Sequence, residues 1–290
     1  MKERIIIEIE NNPTLEGMAK MVPDVVFSTP VEGLDLKMQI IMPWHEGEKP
    51  TVKRPTIVFV QGSAWKFPNV YTEIPQLSWF ARKFGYVIAT VTHRSCLDGH
   101  AFPGFLQDVK TAIRFLRAHA DEYGVDVDRI GIWGTSSGGN TALLVGGTPD
   151  DPRYRTSEWA DFSDKVKCVV ECFGPSDINH LLGRFPYNPE ADKPGTWYYN
   201  LFGGRMADSH DVMAEMSPVN HVDGSYPPSL LMHGDADPVV PYSEAEMMLD
   251  KLLENDVEAS LIRVRGAIHE GNFWSDKLLD IVADFWQKHL

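Results

Sequence analysis

The feature that most restricts the fold of this 290-residue chain is an alternation of short apolar, β-rich runs with stretches of helical period. Thr56–Val60, Tyr86–Val91, Arg129–Trp133, Val166–Phe173, Ser229–Met232 and Ala259–Val264 are the runs. Between them lie segments such as Phe105–His119, with apolar residues at Phe105, Val109, Ile113 and Phe115-Leu116. Continuous apolar strands are those buried on both faces, and strands separated by amphipathic helices form a mostly parallel sheet with helices on either side. Val22–Ser28 and Leu34–Met42 precede this pattern and predict an opening antiparallel pair. A helix ending at Phe84, and others over Ser137–Val145, Ser243–Leu253 and Asn272–His289, complete the expected α/β order. Pro175 to Pro227 shows no sustained period and is expected to be a partly helical cap over the site.

The run Gly134-Thr135-Ser136-Ser137-Gly138 sits where a strand ends and a helix begins. A serine at such a turn is forced into a strained backbone, and glycines two residues to either side leave room for neighbouring elements. The turn lifts the hydroxyl clear of the sheet, with the N-terminus of the next helix aimed at a developing oxyanion. Ser136 is therefore the candidate nucleophile. Ser137 carries a hydroxyl too, but lies off the centre of the glycine frame.

A serine hydroxyl needs a histidine to take its proton and a carboxylate to orient that histidine, here in the chain order Ser, Asp or Glu, His. His269 follows the last strand in the loop Gly266-Ala267-Ile268-His269-Glu270-Gly271, at the carboxyl edge of the sheet. His233 ends its own strand and is expected to pack locally. The acid comes from His233-Gly234-Asp235-Ala236-Asp237-Pro238, where spacing leaves Asp235 and Asp237 both open. His269-Glu270 begins a zinc-protease pattern, but position 273 is Phe, so neither a metal nor another cofactor is expected. The oxyanion donors are expected at Ser137 N–H and in the loop Gln61-Gly62-Ser63-Ala64-Trp65, at Ser63 and Ala64.

These segments, with Phe102-Pro103, Asp108-Val109-Lys110 and Phe115-Leu116-Arg117, resemble the α/β-hydrolase superfamily over nearly the full chain. Within it they are similar to carboxylesterases related to acetyl-xylan and feruloyl esterases. The resemblance implies a single α/β-hydrolase domain over residues 1–290 with a cap insertion at about 175–227, closed by Ser217-Pro218-Val219. It also implies Asp237, the aspartate just before proline, as the acid, and His269 as the base. Gln61 stands where the family's H-G-G-G-W loop has histidine, and Ser63 and Ala64 stand where it has glycines, which narrows the loop's allowed geometry.

The implied activity is a Ser-His-Asp carboxylesterase acting on acetyl or aromatic acyl esters of small molecules or plant cell-wall carbohydrate. Trp65, Trp197, Tyr198, Tyr199, Phe202 and Trp274 are candidates to line its acyl or sugar site. A serine peptidase or arylformamidase uses the same triad, although such peptidases commonly carry a large extra domain. A non-catalytic binding protein on this fold usually lacks the serine or histidine. The net charge of −14 weighs against a nucleic-acid partner. No apolar run approaches the roughly 20 residues of a membrane helix, and Met1–Glu10 lacks the pattern of a secretory signal, so a cytoplasmic location is expected. Hydrophobic residues at 43% and charged residues at 23% suit a globular chain with a sizeable core. Cys96, Cys168 and Cys172 lack metal or redox spacing; the last two, in an apolar run, are expected buried and reduced.

Overall fold

The computed structural model describes residues 5–290; Met1 to Arg4, part of the N-terminal stretch read above, lie outside the described residues. β1 (Ala19–Val31) and β2 (Leu34–Pro43) form the opening hairpin around Gly33, whose φ of +80° favours glycine. Then follow β3 (Arg54–Val60), α1 (Ile74–Phe84), β4 (Val87–Val91), α2 (Gly104–Ala118), α3 (Ala120–Tyr123), β5 (Val125–Thr135) and α4 (Ser137–Gly147). β6 (Val169–Cys172) is separated from β7 (Ser229–Gly234) by three six-residue helices: α5 (Ile178–Gly183), α6 (Trp197–Phe202) and α7 (His210–Glu215). α8 (Tyr242–Glu254), β8 (Ala259–Val264) and α9 (Asp276–His289) close the chain.

Among the described residues, eight strands form one sheet in the order β1-β2-β4-β3-β5-β6-β7-β8. β2 runs antiparallel to both β1 and β4, and every other neighbouring pair is parallel. The two-residue period of β3 divides the core. Val58 and Val60 face the layer holding Val109, Ile113, Leu143 and Met248 of α2, α4 and α8. Ile57 and Phe59 face Phe80, Val282 and Trp286 of α1 and α9. Among the described residues, no helix is long and apolar enough to cross a membrane.

Several boundaries differ from those read in the sequence, each for a local reason. β5 begins at Val125 because Val125 pairs with Arg54 before the main register starts at Ile130. β6 stops at Cys172 because Phe173 takes a φ of +44°, which turns the chain out of the ladder. The last helix starts at Asp276: Gly271–Phe273 forms a separate 3₁₀ turn, and Ser275 caps the helix through the Leu278 N–H. α2 carries a feature its period does not announce. Lys110 and Arg114, buried on the core face, both bind Asp164 at 2.6 and 3.0 Å, tying the segment after α4 to the helix. All three cysteines are free and buried.

Candidate active site

β5 delivers Ser136 to the carboxyl edge of the sheet with φ +52° and ψ −123°, a conformation that L-residues rarely adopt. The surrounding glycines make the turn possible. A Cβ on Gly134 would lie 2.0 Å from the Gly138 carbonyl oxygen, and one on Gly138 would lie 2.0 Å from that of Val60. The Ser136 N–H donates to the Cys172 carbonyl at 2.8 Å, so the strained residue is tied to β6.

His269, in the β8–α9 loop, places Nε2 2.9 Å from Ser136 Oγ and Nδ1 2.7 Å from Asp237 Oδ2. Its ring meets Phe173 edge-on at 4.9 Å between centroids. The Asp237 side chain is fully buried, and its Oδ1 accepts the N–H groups of Val239 at 2.7 Å and Val240 at 3.0 Å. Burial acts to raise this carboxyl. Hydrogen bonds from His233, His269 and the Val239 N–H outweigh it and hold the group well below the usual carboxylate range. Asp237 is thus an anion placed to orient His269 and to stabilise an imidazolium. Asp235 does different work: it binds Arg263 Nε at 2.8 Å and the Gly266 N–H at 2.6 Å, fastening the turn that presents His269. His233 does pack locally, with Nε2 2.9 Å from the Val240 carbonyl and 3.4 Å from Asp237 Oδ2.

The oxyanion loop departs from the sequence reading at one residue. The Ser63 N–H, expected as a donor, is already committed to Ser137 Oγ at 2.9 Å. Ala64 and Ser137 both line the cavity at Ser136. Among the described residues, neither of their N–H groups has a protein acceptor, leaving these two free for an oxyanion. Ala64 and Trp65 take φ of +51° and +55°, so the alanine occupies a backbone that glycine adopts without strain. The cross-links of Gln61 hold that loop: its Nε2 donates to Glu73 Oε1 at 2.9 Å and its Oε1 accepts the Asn69 N–H at 2.5 Å. The Gly62 N–H donates to Thr135 Oγ1 at 2.8 Å, and a Cβ on Gly62 would sit 2.7 Å from Ser136 Cβ. That glycine is a site residue which sequence reasoning passed over, and its place beside the altered loop positions was the available signal.

Two cavities of about 220 Å³ each flank the turn. The first opens at Ser136 and Ala64 under the β6–β7 segment, walled by Ile178, Leu181 and Leu182 of α5, Leu201 and Phe202 of α6, and Val239-Val240. Trp65, Trp197, Tyr198 and Phe202 line it as expected candidates; Tyr199 does not. Trp197 stacks on Trp65 with centroids 6.3 Å apart and donates its indole N–H to the Ala64 carbonyl at 3.0 Å, joining α6 to the oxyanion loop. Trp274 does not join them. It packs on Trp133 and Phe273 in the α1–α9 layer, because the 3₁₀ turn after His269 carries it to the opposite face of the sheet. There it lines the second cavity with Phe59, Trp133, Phe173, Thr135, Glu73 and Glu270. Burial raises the Glu73 carboxyl; the bond from Gln61 opposes this, and the nearby Glu270 charge adds to it.

The chain is similar to known esterases. The esterase LipC of Mycobacterium tuberculosis is 31% identical over 217 residues, covering 74% of this chain and 52% of that protein. The chain spans about half the length of the curated relatives it matches. Among solved structures, a truncated carbohydrate esterase from gut microbiota superposes with a TM-score of 0.77 at 25% identity, covering 93% of this chain and 96% of that one. A bifunctional GH43-CE protein of Bacteroides eggerthii gives the same TM-score at 28% identity, over 93% of this chain and 38% of that one. The fold is that of the α/β-hydrolases. The BD-FAE family model matches residues 38–252, and the chain belongs to that family.

Proposed function

We propose that the protein is a serine carboxylesterase in which Ser136, His269 and Asp237 cleave acyl esters through an acyl-enzyme. The observation that carries this is the unbroken hydrogen-bonded line from Ser136 Oγ through His269 to a buried, anionic Asp237. His269 Nε2 takes the serine proton as Oγ attacks the ester carbonyl, and the N–H groups of Ala64 and Ser137 receive the oxyanion. The imidazolium then protonates the departing alcohol, and water repeats the sequence to free the acid.

The β6–β7 segment acts as a cap, and among the described residues no charged side chain lines the cavity beneath it, which suits an acetyl or aromatic acyl group. Esters as a class are supported by the esterase LipC, and carbohydrate esters by the carbohydrate esterase that this chain resembles in structure. A release assay with p-nitrophenyl acetate and methyl ferulate tests the reading, with Ser136→Ala as control. The variant is expected to lose at least about 10⁴-fold in kcat. Turnover within tenfold of the wild type would remove Ser136 from the mechanism.

A further inference from the structure

The leaving alcohol must depart within reach of His269 Nε2, since that nitrogen protonates it. Glu270 follows His269 in the chain and lines the second cavity. Glu270 holds this place with φ +59° and ψ −136°, a backbone that a glutamate adopts only at a cost. A Cβ built on Gly62 would lie 2.7 Å from Ser136 Cβ and 3.4 Å from Glu270 Oε1. The width of one glycine therefore separates this carboxylate from the nucleophile.

Behind Glu270 opens the second cavity, floored by Trp133, Phe173 and Trp274, with Glu73 across from it. Among the described residues, no lysine or arginine lines this cavity. The cap-side cavity is lined by Ser136 itself and, among the described residues, by no charged side chain. The two flanks of the nucleophile thus differ in charge, and Glu270 is the acidic residue of the second flank that approaches Gly62.

We infer that the second cavity receives the alcohol portion of the ester and that Glu270 determines specificity there, rejecting anionic alcohols and admitting neutral or cationic ones. This rests on the serine-esterase reading above. A negative alcohol moiety meets Glu270, an exposed carboxylate, and is repelled in a salt-dependent way. A cationic one gains from the same carboxylate and from the partly buried Trp274 ring that lines the cavity. The acyl side is unaffected, because Glu270 does not line it.

The test uses matched butyrate esters that differ only in the alcohol: O-butyrylglycolate (anionic), O-butyrylglycolamide (neutral) and butyrylcholine (cationic). In the wild type, kcat/KM is expected to rise from the first to the last. Glu270→Gln is expected to narrow the neutral-to-anionic ratio by roughly three- to tenfold. Glu254→Gln, which removes one exposed charge at the far end of α8, leaves the ratio in place. Raising ionic strength from about 0.01 to about 0.5 M narrows the ratio in the wild type and barely changes it in Glu270→Gln. Monomethyl succinate against methyl succinamate puts the same charge on the acyl side, where Glu270→Gln changes nothing. Equal narrowing by both variants, equal narrowing on both sides of the ester, or a wild-type ratio indifferent to salt would overturn the inference. A wild type that leaves even the neutral ester intact would instead take down the esterase reading itself.

Discussion

The two cavities beside Ser136 have the same volume but are built from different parts of the chain. The cap-side cavity is walled by α5 and α6, six residues each. Helices that short do not hold themselves together, so their position depends on tertiary contacts. One is the Trp197 bond to the Ala64 carbonyl. Another is buried Glu244, which accepts the N–H groups of Ser176 and Asp177 just before α5. The second cavity is floored by Phe59, Trp133 and Phe173, side chains at the ends of adjacent central strands. The sheet fixes this floor. The comparison teaches that reaction chemistry sits on a rigid ridge between an apolar flank held by short helices and an acidic flank held by strands. On the function and the inference proposed above, cap packing sets substrate range on the first flank and fixed charge sets it on the second.

The sharpest way to break this picture is to attack the ridge from one loop. Asp237→Asn keeps the shape but cannot hold His269 in the required tautomer, and kcat is expected to fall about 10⁴-fold for esters of every acyl and alcohol type. Asp235→Asn, two residues away, loosens the Arg263 and Gly266 contacts and is expected to change kcat only a few-fold while lowering Tm. Steady-state kinetics and thermal melts on both variants check the contrast; equal losses would mean the two carboxylates share the catalytic role. Gly62→Ala comes next. Its methyl meets Ser136 Cβ at 2.7 Å and the Thr135 carbonyl oxygen at 2.9 Å, both parts of the strained turn. A loss of about 10²-fold in kcat with a smaller change in KM is expected, read from the same assays.

A change confined to the cap side sharpens the comparison further. Leu182 faces the apolar cavity from α5. Leu182→Trp fills part of that space and is expected to cost hexanoate esters roughly tenfold in kcat/KM relative to acetate esters. The ratio of choline to glycolamide esters stays fixed. If chain-length preference holds while alcohol preference moves, the two flanks have been assigned the wrong way round.

Much of this was legible in the sequence because it depends on local chemistry. The glycine frame around Ser136, the loop position of His269 and the succession of strands and helices along the chain follow from spacing and period, which neighbouring residues determine. The choice between Asp235 and Asp237 was not legible from spacing. It turns on which carboxylate meets a loop more than thirty positions downstream and which meets Arg263. Ser63 shows a subtler limit. Position placed it in the oxyanion loop, but its N–H is spent on the Ser137 hydroxyl, a pairing across 74 residues. Trp274 was read as a binding aromatic by type, and only the 3₁₀ turn after His269 decides that it lines the second cavity and not the cap-side one. The buried Lys110–Asp164–Arg114 group was hidden for the same reason: a helical period shows which face is inward, not which charges will be covered by a later segment.

The smallest expected effect on turnover comes from beneath the ridge. Glu171 of β6 is fully buried and its carboxylate accepts the Gly174 N–H. Gly174 in turn packs so closely on the turn that a Cβ there would lie 2.7 Å from the Ser136 carbonyl oxygen. Burial pushes the Glu171 carboxyl up to about 7, with the His233 charge and the Gly174 bond opposing and Glu244 adding. A carboxyl whose folded value lies above its unfolded value, about 4.3, binds its proton more tightly in the native state. Its contribution is therefore complete below that unfolded value and is lost as pH rises through about 7. The low value at Asp237 acts in the opposite sense, losing stability only as pH falls through a more acidic range, so the two windows separate. Glu171→Gln keeps an acceptor for Gly174 and removes the titration. The wild type is expected to lose a few kcal/mol between about pH 5 and 8 relative to Glu171→Gln, measured by urea midpoints across that range. kcat on both ester series should change less than about threefold, because the carboxamide still supports the loop behind Ser136. A variant whose midpoints follow the wild-type pH curve would mean that Glu171 does not titrate in this window.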